Sequence, residues 1–272
     1  MFIPIPQYAN LNSHHISIDD EARLKKNRRS LQPEWRWHTE EVVYKTNSYG
    51  YRTVEPKDIN WDNYFLSFGD SQVFGTGLNE TDVYTSLLSN EIATQGINAG
   101  MPGSSPELIM YNLFNFLKKA PKHPKFVLIA WPNLVRRSWF LEDEVYFWLP
   151  QLSHLHKKYR KIDNISVELS EYSTHIATTW AYQELSIRML CESLNIKYFG
   201  DFSFTPKSYY DCGIENELFD VYSLVPTPAN TTDIDIINQY WARDYISKPH
   251  SSGAHAGPIY HRAIAHWLLN RL

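Results

Sequence analysis

The hydrophobic positions of this 272-residue chain fall into short apolar runs separated by amphipathic stretches. Residues 64–68 form a β-prone run, and residues 125–131 form a continuous apolar run of the kind that is buried on both faces of a parallel sheet. Shorter runs at 96–99 and 196–200 predict two further strands. The chain therefore has at least four candidate strands for one sheet.

Helical patterns separate these predicted strands. An amphipathic helix follows residues 79–82, and residues 104–107 start a second helix with a capping serine and an early proline. A long helix is predicted from about Ser173 to Leu194, and the last helix begins near Gly257. Alternating strands and helices are typical of a doubly wound parallel sheet, so we predict an α/β fold.

Two segments show no clear periodicity in their hydrophobic positions. Residues 1–60 are polar and dotted with prolines, which predicts an irregular arm that packs on the remaining domain, 61–272. Residues 134–170 are rich in tryptophan, tyrosine and charge, and we interpret them as an aromatic-rich insertion near the carboxyl edge of the sheet.

Charge and hydropathy narrow the function classes. A formal net charge of -4 provides no broad basic surface, which argues against nucleic acid as a partner. No apolar run is long enough to span a bilayer, and the first residues lack the pattern of a signal peptide, so we expect a cytoplasmic protein. His250, His255, His261 and His266 are not spaced to share a helical face, so we predict no metal site.

The first candidate for chemistry is Ser71, which ends the tripeptide Gly69-Asp70-Ser71 directly after the 64–68 strand. Ligands of open parallel sheets bind at the carboxyl ends of the strands, where this serine is expected to lie. The tripeptide alone is weak evidence, because it also occurs in plain turns and helix caps. Its interpretation depends on what accompanies it elsewhere in the chain.

Four segments in order resemble the motifs of the SGNH/GDSL hydrolases. They are residues 69–77 with the Gly-Asp-Ser turn and two later glycines, residues 98–103, the Trp-Pro-Asn-Leu stretch at 131–134, and residues 252–258 around a histidine. Upstream, residues 46–52 resemble an Asn-Ser-x-Gly-aromatic-Arg stretch that often precedes the catalytic domain in bacterial members. The resemblance implies a flavodoxin-like, three-layer parallel sheet and a serine esterase activity without a cofactor.

The resemblance also implies a role for each matching residue. Ser71 is the nucleophile and His255 the general base, and the developing oxyanion is bound by the backbone N–H groups of Ser71 and Gly100 and by the amide of Asn133. One such amide is worth roughly 3 kcal/mol in comparable sites. These residues would form and hydrolyse a covalent acyl-enzyme.

The chain departs from the family pattern at two places. Residues 131–134 lack the glycine and aspartate that usually flank the asparagine, and Ser252 occupies the usual aspartate position three residues before His255. Three accounts stay open: Asp244 orients the imidazole, a backbone carbonyl does so in a Ser-His dyad, or the protein is a weakened or inactive relative. Losing the carboxylate of a triad costs about 10⁴ in kcat.

Substrate contacts are predicted from Asp70 and Trp131, which lie within these motifs, and from Arg136, which closely follows one of them. Arg136 and its neighbour Arg137 suit an anionic sugar or a carboxylate, although a solvated pair in a loop fits equally well. Tryptophans suit a sugar platform, although core packing is the usual role of a ring such as Trp131. These features favour a small-molecule or glycan substrate, specifically an O-acetyl ester of a carbohydrate.

A non-catalytic protein on the same fold is the competing hypothesis. The missing aspartate and the altered third motif motivate it, and an aromatic-rich insertion suits an interface in a larger assembly such as a virus particle. Covalent labelling of Ser71 by a fluorophosphonate separates the two hypotheses, because only an activated serine reacts.

Overall fold

A computed structural model describes residues 2–17, 19, 21–141, 144–149, 159–170, 173–203, 219–220, 224–225, 233–243 and 255–272. The strands are β1 (Asn12–Ser13), β2 (Tyr44–Lys45), β3 (Tyr64–Gly69), β4 (Gln95–Gly100), β5 (Phe126–Ala130), β6 (Arg137–Phe140), β7 (Val145–Trp148), β8 (Lys197–Ser203) and β9 (Phe219–Asp220). The helices are α1 (Glu21–Ser30), α2 (Ser71–Phe74), α3 (Tyr84–Glu91), α4 (Pro106–Lys119), α5 (Arg160–Ser170), α6 (Ser173–Ser193), α7 (Ile234–Tyr240) and α8 (Pro258–Leu269). None of the helices within these ranges is long and apolar enough to cross a membrane.

The central sheet has five strands in the order β4-β3-β5-β8-β9, and each neighbouring pair is parallel. Numbered along the chain, these strands lie in the order 2-1-3-4-5, which is the order of flavodoxin-like doubly wound sheets. The prediction of an α/β fold with a parallel sheet is confirmed. The register pairs Gly69 with Gly100, so the ends of β3 and β4 coincide.

Helices cover both faces of the sheet because side chains of a strand alternate between its faces. On one face, α3 and α8 pack against Phe65 and Leu128. On the other, α4 and α6 pack against Leu66 and Val127. The result is a three-layer arrangement in which both sides of β3 and β5 are buried, as their continuous apolar sequences require.

The N-terminal arm contributes to the second of these cores, where Trp35, Trp37 and Tyr44 are fully buried. Arg52 attaches it to the segment that follows α2: its guanidinium group is buried and donates to the carbonyl oxygens of Gly75 at 2.9 Å and Leu78 at 3.0 Å. The arm is thus packed on the core, and the division of the chain near residue 60 stays a prediction.

The predicted insertion is more regular than its composition indicates. Strands β6 and β7 form an antiparallel hairpin in which Arg137 pairs with Trp148 and Phe140 with Val145. Helix α5 follows within the same region. Because aromatic side chains occupy both faces of the hairpin, the sequence shows no alternation of polar and apolar positions there.

Candidate active site

Ser71 lies in a tight turn between β3 and α2. A Cβ atom at Gly69 would lie 2.2 Å from Cγ2 of Val73 and 2.9 Å from the carbonyl oxygen of Ala130, so only glycine fits where the strand ends. Asp70 then caps α2, its Oδ1 accepting the N–H of Gln72 at 3.0 Å. This turn places Ser71 at the first helical position, at the carboxyl edge of the sheet.

The structure brings Ser71 and His255 together. Oγ of Ser71 and Nε2 of His255 are 2.8 Å apart, although the two residues are 184 positions apart in the sequence. Ser71 is 7% exposed and His255 is half-buried. This distance lies within the hydrogen-bond reach that proton transfer between a nucleophile and its base requires.

The segment that carries His255 is held by the end of α7. The N–H of Ala242 donates to the carbonyl of His255 at 3.1 Å, and the N–H of Gly257 donates to the carbonyl of Tyr240 at 2.9 Å. A Cβ atom at Gly257 would lie 2.4 Å from the backbone nitrogen of Trp241, so this close approach requires glycine. Backbone contacts therefore fix the histidine before α8 begins.

Gln72 makes a second link between the two segments, and sequence reasoning missed it. Its Oε1 accepts the N–H of Ala256 at 2.9 Å, and Ala256 is buried. No signal in the sequence identifies this contact, because a glutamine near a helix start is ordinarily a surface residue.

The predicted role of Gly100 is not favoured by its hydrogen bonding. Its N–H donates to Oδ1 of Asn98 at 2.9 Å, and Asn98 is itself held by the carbonyl of Val73 at 2.8 Å. Gly103, three residues later, lies beyond the end of β4 with φ +80°. Within the described part of the chain its N–H donates to no other group, and the same holds for the N–H of Ser71.

Asn133 lies just beyond the end of β5 and is 8% exposed. Its Oδ1 accepts the N–H of Val135 at 3.0 Å. This contact distinguishes the two ends of the amide, because only the oxygen can accept an N–H. The NH2 group is consequently directed away from the Val135 backbone, and it donates to no acceptor among the described residues.

The three predicted substrate contacts differ in their surroundings. Trp131 is 1% exposed, and its Nε1 donates to Oε2 of Glu184 at 2.9 Å, so it belongs to the core and the expected substrate contact is corrected. Oδ2 of Asp70 pairs with the Arg136 guanidinium at 2.6 Å, so both carboxylate oxygens of Asp70 have internal partners. Arg136, with 22% of its side chain exposed, is the one of the three with a charged group partly open to solvent.

Asp244, Ser252 and His250 lie outside the described residues, so the choice between the accounts of the third catalytic group stays open. Arg243, which precedes Asp244 in the sequence, is 2% exposed, and its Nε is 2.7 Å from Oδ2 of Asp19. In the described ranges there is no group of three or more histidine, cysteine, aspartate or glutamate side chains suited to a metal ion.

A second histidine, His261 of α8, is fully buried and neutral. Burial, together with the charges of Arg52 and His255, lowers the pKa of His261 to about 3. Nδ1 of His261 accepts the N–H of Tyr84 at 3.2 Å. His261 therefore serves the packing between α3 and α8, and His255 is the imidazole that contacts the serine.

Comparisons with known proteins find distant structural similarity. No protein-family model matches the chain, and the comparison with curated proteins finds no match. A member of the lipolytic protein G-D-S-L family from Veillonella parvula DSM 2008 is 14% identical, with a TM-score of 0.35, over 76% of this chain and 96% of that one. A protein assigned to the lipolytic G-D-S-L family, from Desulfitobacterium hafniense DCB-2, is 12% identical, with a TM-score of 0.34, over 77% of this chain and 99% of that one. Such low TM-scores do not establish a shared fold, so the fold rests on the strand order and the site on its contacts.

Proposed function

We propose that the protein is a serine hydrolase of the SGNH/GDSL type that cleaves an ester. The observation that carries this proposal is the 2.8 Å contact between Oγ of Ser71 and Nε2 of His255 at the carboxyl edge of the parallel sheet. The order of the four sequence motifs supports it independently, because the first and the last of them supply these two residues.

The chemistry is acyl transfer through a covalent intermediate. Nε2 of His255 removes the proton from Oγ of Ser71 as Oγ attacks the ester carbonyl, and the imidazolium then gives that proton to the departing alcohol. A water molecule, deprotonated by the same imidazole, hydrolyses the acyl-serine and restores the free enzyme. In each half-reaction His255 takes up one proton and gives it back: from Oγ to the alcohol in the first, and from the water to Oγ in the second.

The proposed oxyanion donors are the N–H of Ser71, the NH2 of Asn133 and the N–H of Gly103. Gly103 takes the place first assigned to Gly100, because the Gly100 N–H already donates to Asn98. Donors of this kind stabilise charge that develops in the transition state, and each is worth about 3 to 4 kcal/mol.

Orientation of His255 requires a partner for Nδ1, and we propose Asp244 for this role, with a backbone carbonyl as the alternative. An Asp244→Ala variant separates them: it lowers kcat by about 10⁴ if the carboxylate selects the tautomer, and leaves kcat near the wild-type value if a carbonyl does so.

The substrate that we propose is a carbohydrate O-acetyl ester. Arg136 supports it, since a partly exposed guanidinium beside the Ser71 turn suits an acidic sugar. The aromatic argument is weaker than the sequence indicates, because Trp131 and Trp148 are each 1% exposed and cannot stack on a sugar. Comparing acetylated neutral and acidic sugars tests this choice, and Arg136→Met should raise KM more for the acidic sugar than for the neutral one.

The decisive experiment measures hydrolysis of p-nitrophenyl acetate and labelling by a fluorophosphonate. We expect Ser71→Ala to abolish both, and His255→Ala to lower both by at least about 10³-fold. Ser86→Ala on α3 and His266→Ala on the exposed side of α8 are matched controls that should behave as wild type. If the wild type neither hydrolyses esters nor is labelled, the non-catalytic hypothesis replaces this proposal.

A further inference from the structure

We propose that Gln72 is a positioning residue that holds the general base in register with the nucleophile; this inference rests on the proposed function of Ser71 and His255. Gln72 directly follows Ser71, and the backbone group that it binds belongs to Ala256, which directly follows His255. Two consecutive residues of one segment thus contact two consecutive residues of the other, at 2.8 Å and 2.9 Å.

The two contacts contribute differently to the alignment of the base with the nucleophile. The Ser71 to His255 contact must change during the reaction, because its proton moves and Oγ becomes acylated. The Gln72 to Ala256 contact involves no reacting atom, so it persists through both half-reactions. A permanent side-chain-to-backbone link beside a transient one keeps the imidazole in place when the serine is acylated and water must be activated.

Two backbone hydrogen bonds connect the histidine segment to a different element. Ala242 and Tyr240 bond to the backbone of His255 and Gly257, and this connects the segment to the end of α7. Gln72 connects it to α2, the helix that begins with the nucleophile. The Gln72 amide therefore links the segment of the base directly to the helix of the nucleophile, and a displacement of about 1 Å can cost 10² in rate.

Three variants isolate the contact. Gln72→Met keeps the length of the side chain and removes the acceptor, whereas Gln72→Glu keeps an acceptor oxygen at the same place. Gln95→Met is the matched control, because Oε1 of Gln95 also accepts a backbone N–H, that of Asn60 at 2.6 Å, at the opposite end of the sheet. The measurements are kcat and KM for p-nitrophenyl acetate, the rate of fluorophosphonate labelling, and the dependence of kcat/KM on pH.

We expect Gln72→Met to lower kcat and the labelling rate by about 10- to 100-fold, with KM changed by less than about threefold, because binding groups are untouched. Gln72→Glu should recover most of this loss and shift the limb of the profile that reports the base to higher pH, because a carboxylate beside an imidazole favours its protonated form. Gln95→Met should match the wild type.

Titration of labelled active sites normalises every rate to folded protein, so a variant that folds poorly still gives a valid kcat. If the wild type is active and Gln72→Met matches Gln95→Met, the positioning role is refuted while the hydrolase proposal stands. If Gln72→Glu is as slow as Gln72→Met, the acceptor oxygen is not what matters and the inference fails. A wild type that is neither active nor labelled refutes both proposals.

Discussion

Asn133 combines a structural contact and a proposed catalytic donor in one side chain. Its Oδ1 holds the N–H of Val135, while the NH2 group is the proposed donor to the oxyanion. An Asn133→Asp substitution keeps the first and removes the second. We expect kcat to fall by about 10² to 10³ with little change in KM, because the donor acts chiefly on charge that develops in the transition state.

Steady-state kinetics on p-nitrophenyl acetate measure this effect, and Asn60→Asp provides the control. Asn60 makes the same local contact, its Oδ1 accepting the N–H two residues later at 3.3 Å, on an exposed loop. Equal kcat values for the two variants would remove Asn133 from the oxyanion site.

At the residue scale, sequence order predicted more than residue type did. The order of the motifs predicts the contact between Ser71 and His255, because that order is a property of the whole fold. The predicted roles of Trp131 and Gly100 are not favoured by their contacts, because Trp131 is buried against Glu184 and the Gly100 N–H donates to the Asn98 side chain. Such contacts form only in the folded protein, so residue type does not reveal them. Gln72 escaped notice for the same reason.

Helix α2 shows how a very short element can carry the central residues. Its four residues are too few to be stable alone, because helix nucleation is unfavourable. Asp70 holds its first turn, and Arg52 donates to the carbonyl oxygens of Phe74, Gly75 and Leu78 at and beyond its end. The arm thereby supports the turn that presents Ser71.

An Arg52→Met substitution should therefore destabilise the protein. It removes the donor to the carbonyl oxygens of Phe74 and Leu78, whereas that of Gly75 still accepts the N–H of Leu78. Each buried oxygen left without a donor costs about 1 to 3 kcal/mol, so we expect the free energy of unfolding to fall by at least about 2 kcal/mol. Urea denaturation measures it. Arg36→Met is the control, because Arg36 pairs with Glu40 and Asp82 at a more exposed position where such pairs are worth about 0 to 1 kcal/mol. A loss no greater than that of Arg36→Met would contradict the supporting role of Arg52.

The predicted elements agree best with the structure where the pattern is local. The run at 125–131 became β5, the run at 96–99 became β4, and the helix predicted from 173 to 194 became α6. Strands buried on both faces are visible as continuous apolar runs, whatever they pack against. The hairpin of β6 and β7 escaped prediction because its rings face both sides, which removes the period of two.

At the scale of the molecule, a buried ion pair connects the N-terminal arm with the C-terminal part of the chain. Asp19 in the arm and Arg243, next to the segment that holds His255, are 1% and 2% exposed in their side chains, and they are separated by 224 positions. The hydroxyl of Tyr44 also donates to Asp19, and the N–H of Arg243 donates to the carbonyl of Gly77 at 3.1 Å. The pair therefore connects the arm, the region after α2 and the histidine segment.

Because this pair is buried, substitutions of Asp19 and Arg243 test how strongly the arm is coupled to the C-terminal segment. Removing one partner leaves an uncompensated buried charge, so we expect Asp19→Leu and Arg243→Met each to lower the free energy of unfolding by about 3 to 5 kcal/mol. The double variant Asp19→Leu/Arg243→Met leaves no charge unpaired, and its loss should be well below the sum of the two.

Urea denaturation of the four proteins gives the coupling energy directly, which we expect to exceed about 1 kcal/mol. The double variant of Lys122 and Asp62, an exposed pair, is the control and should show additive changes. Additive losses at Asp19 and Arg243 would mean that each residue stabilises only its own segment. Strong coupling would mean that residues far apart in sequence act as one unit, so that deleting the arm would also release the segment that holds His255.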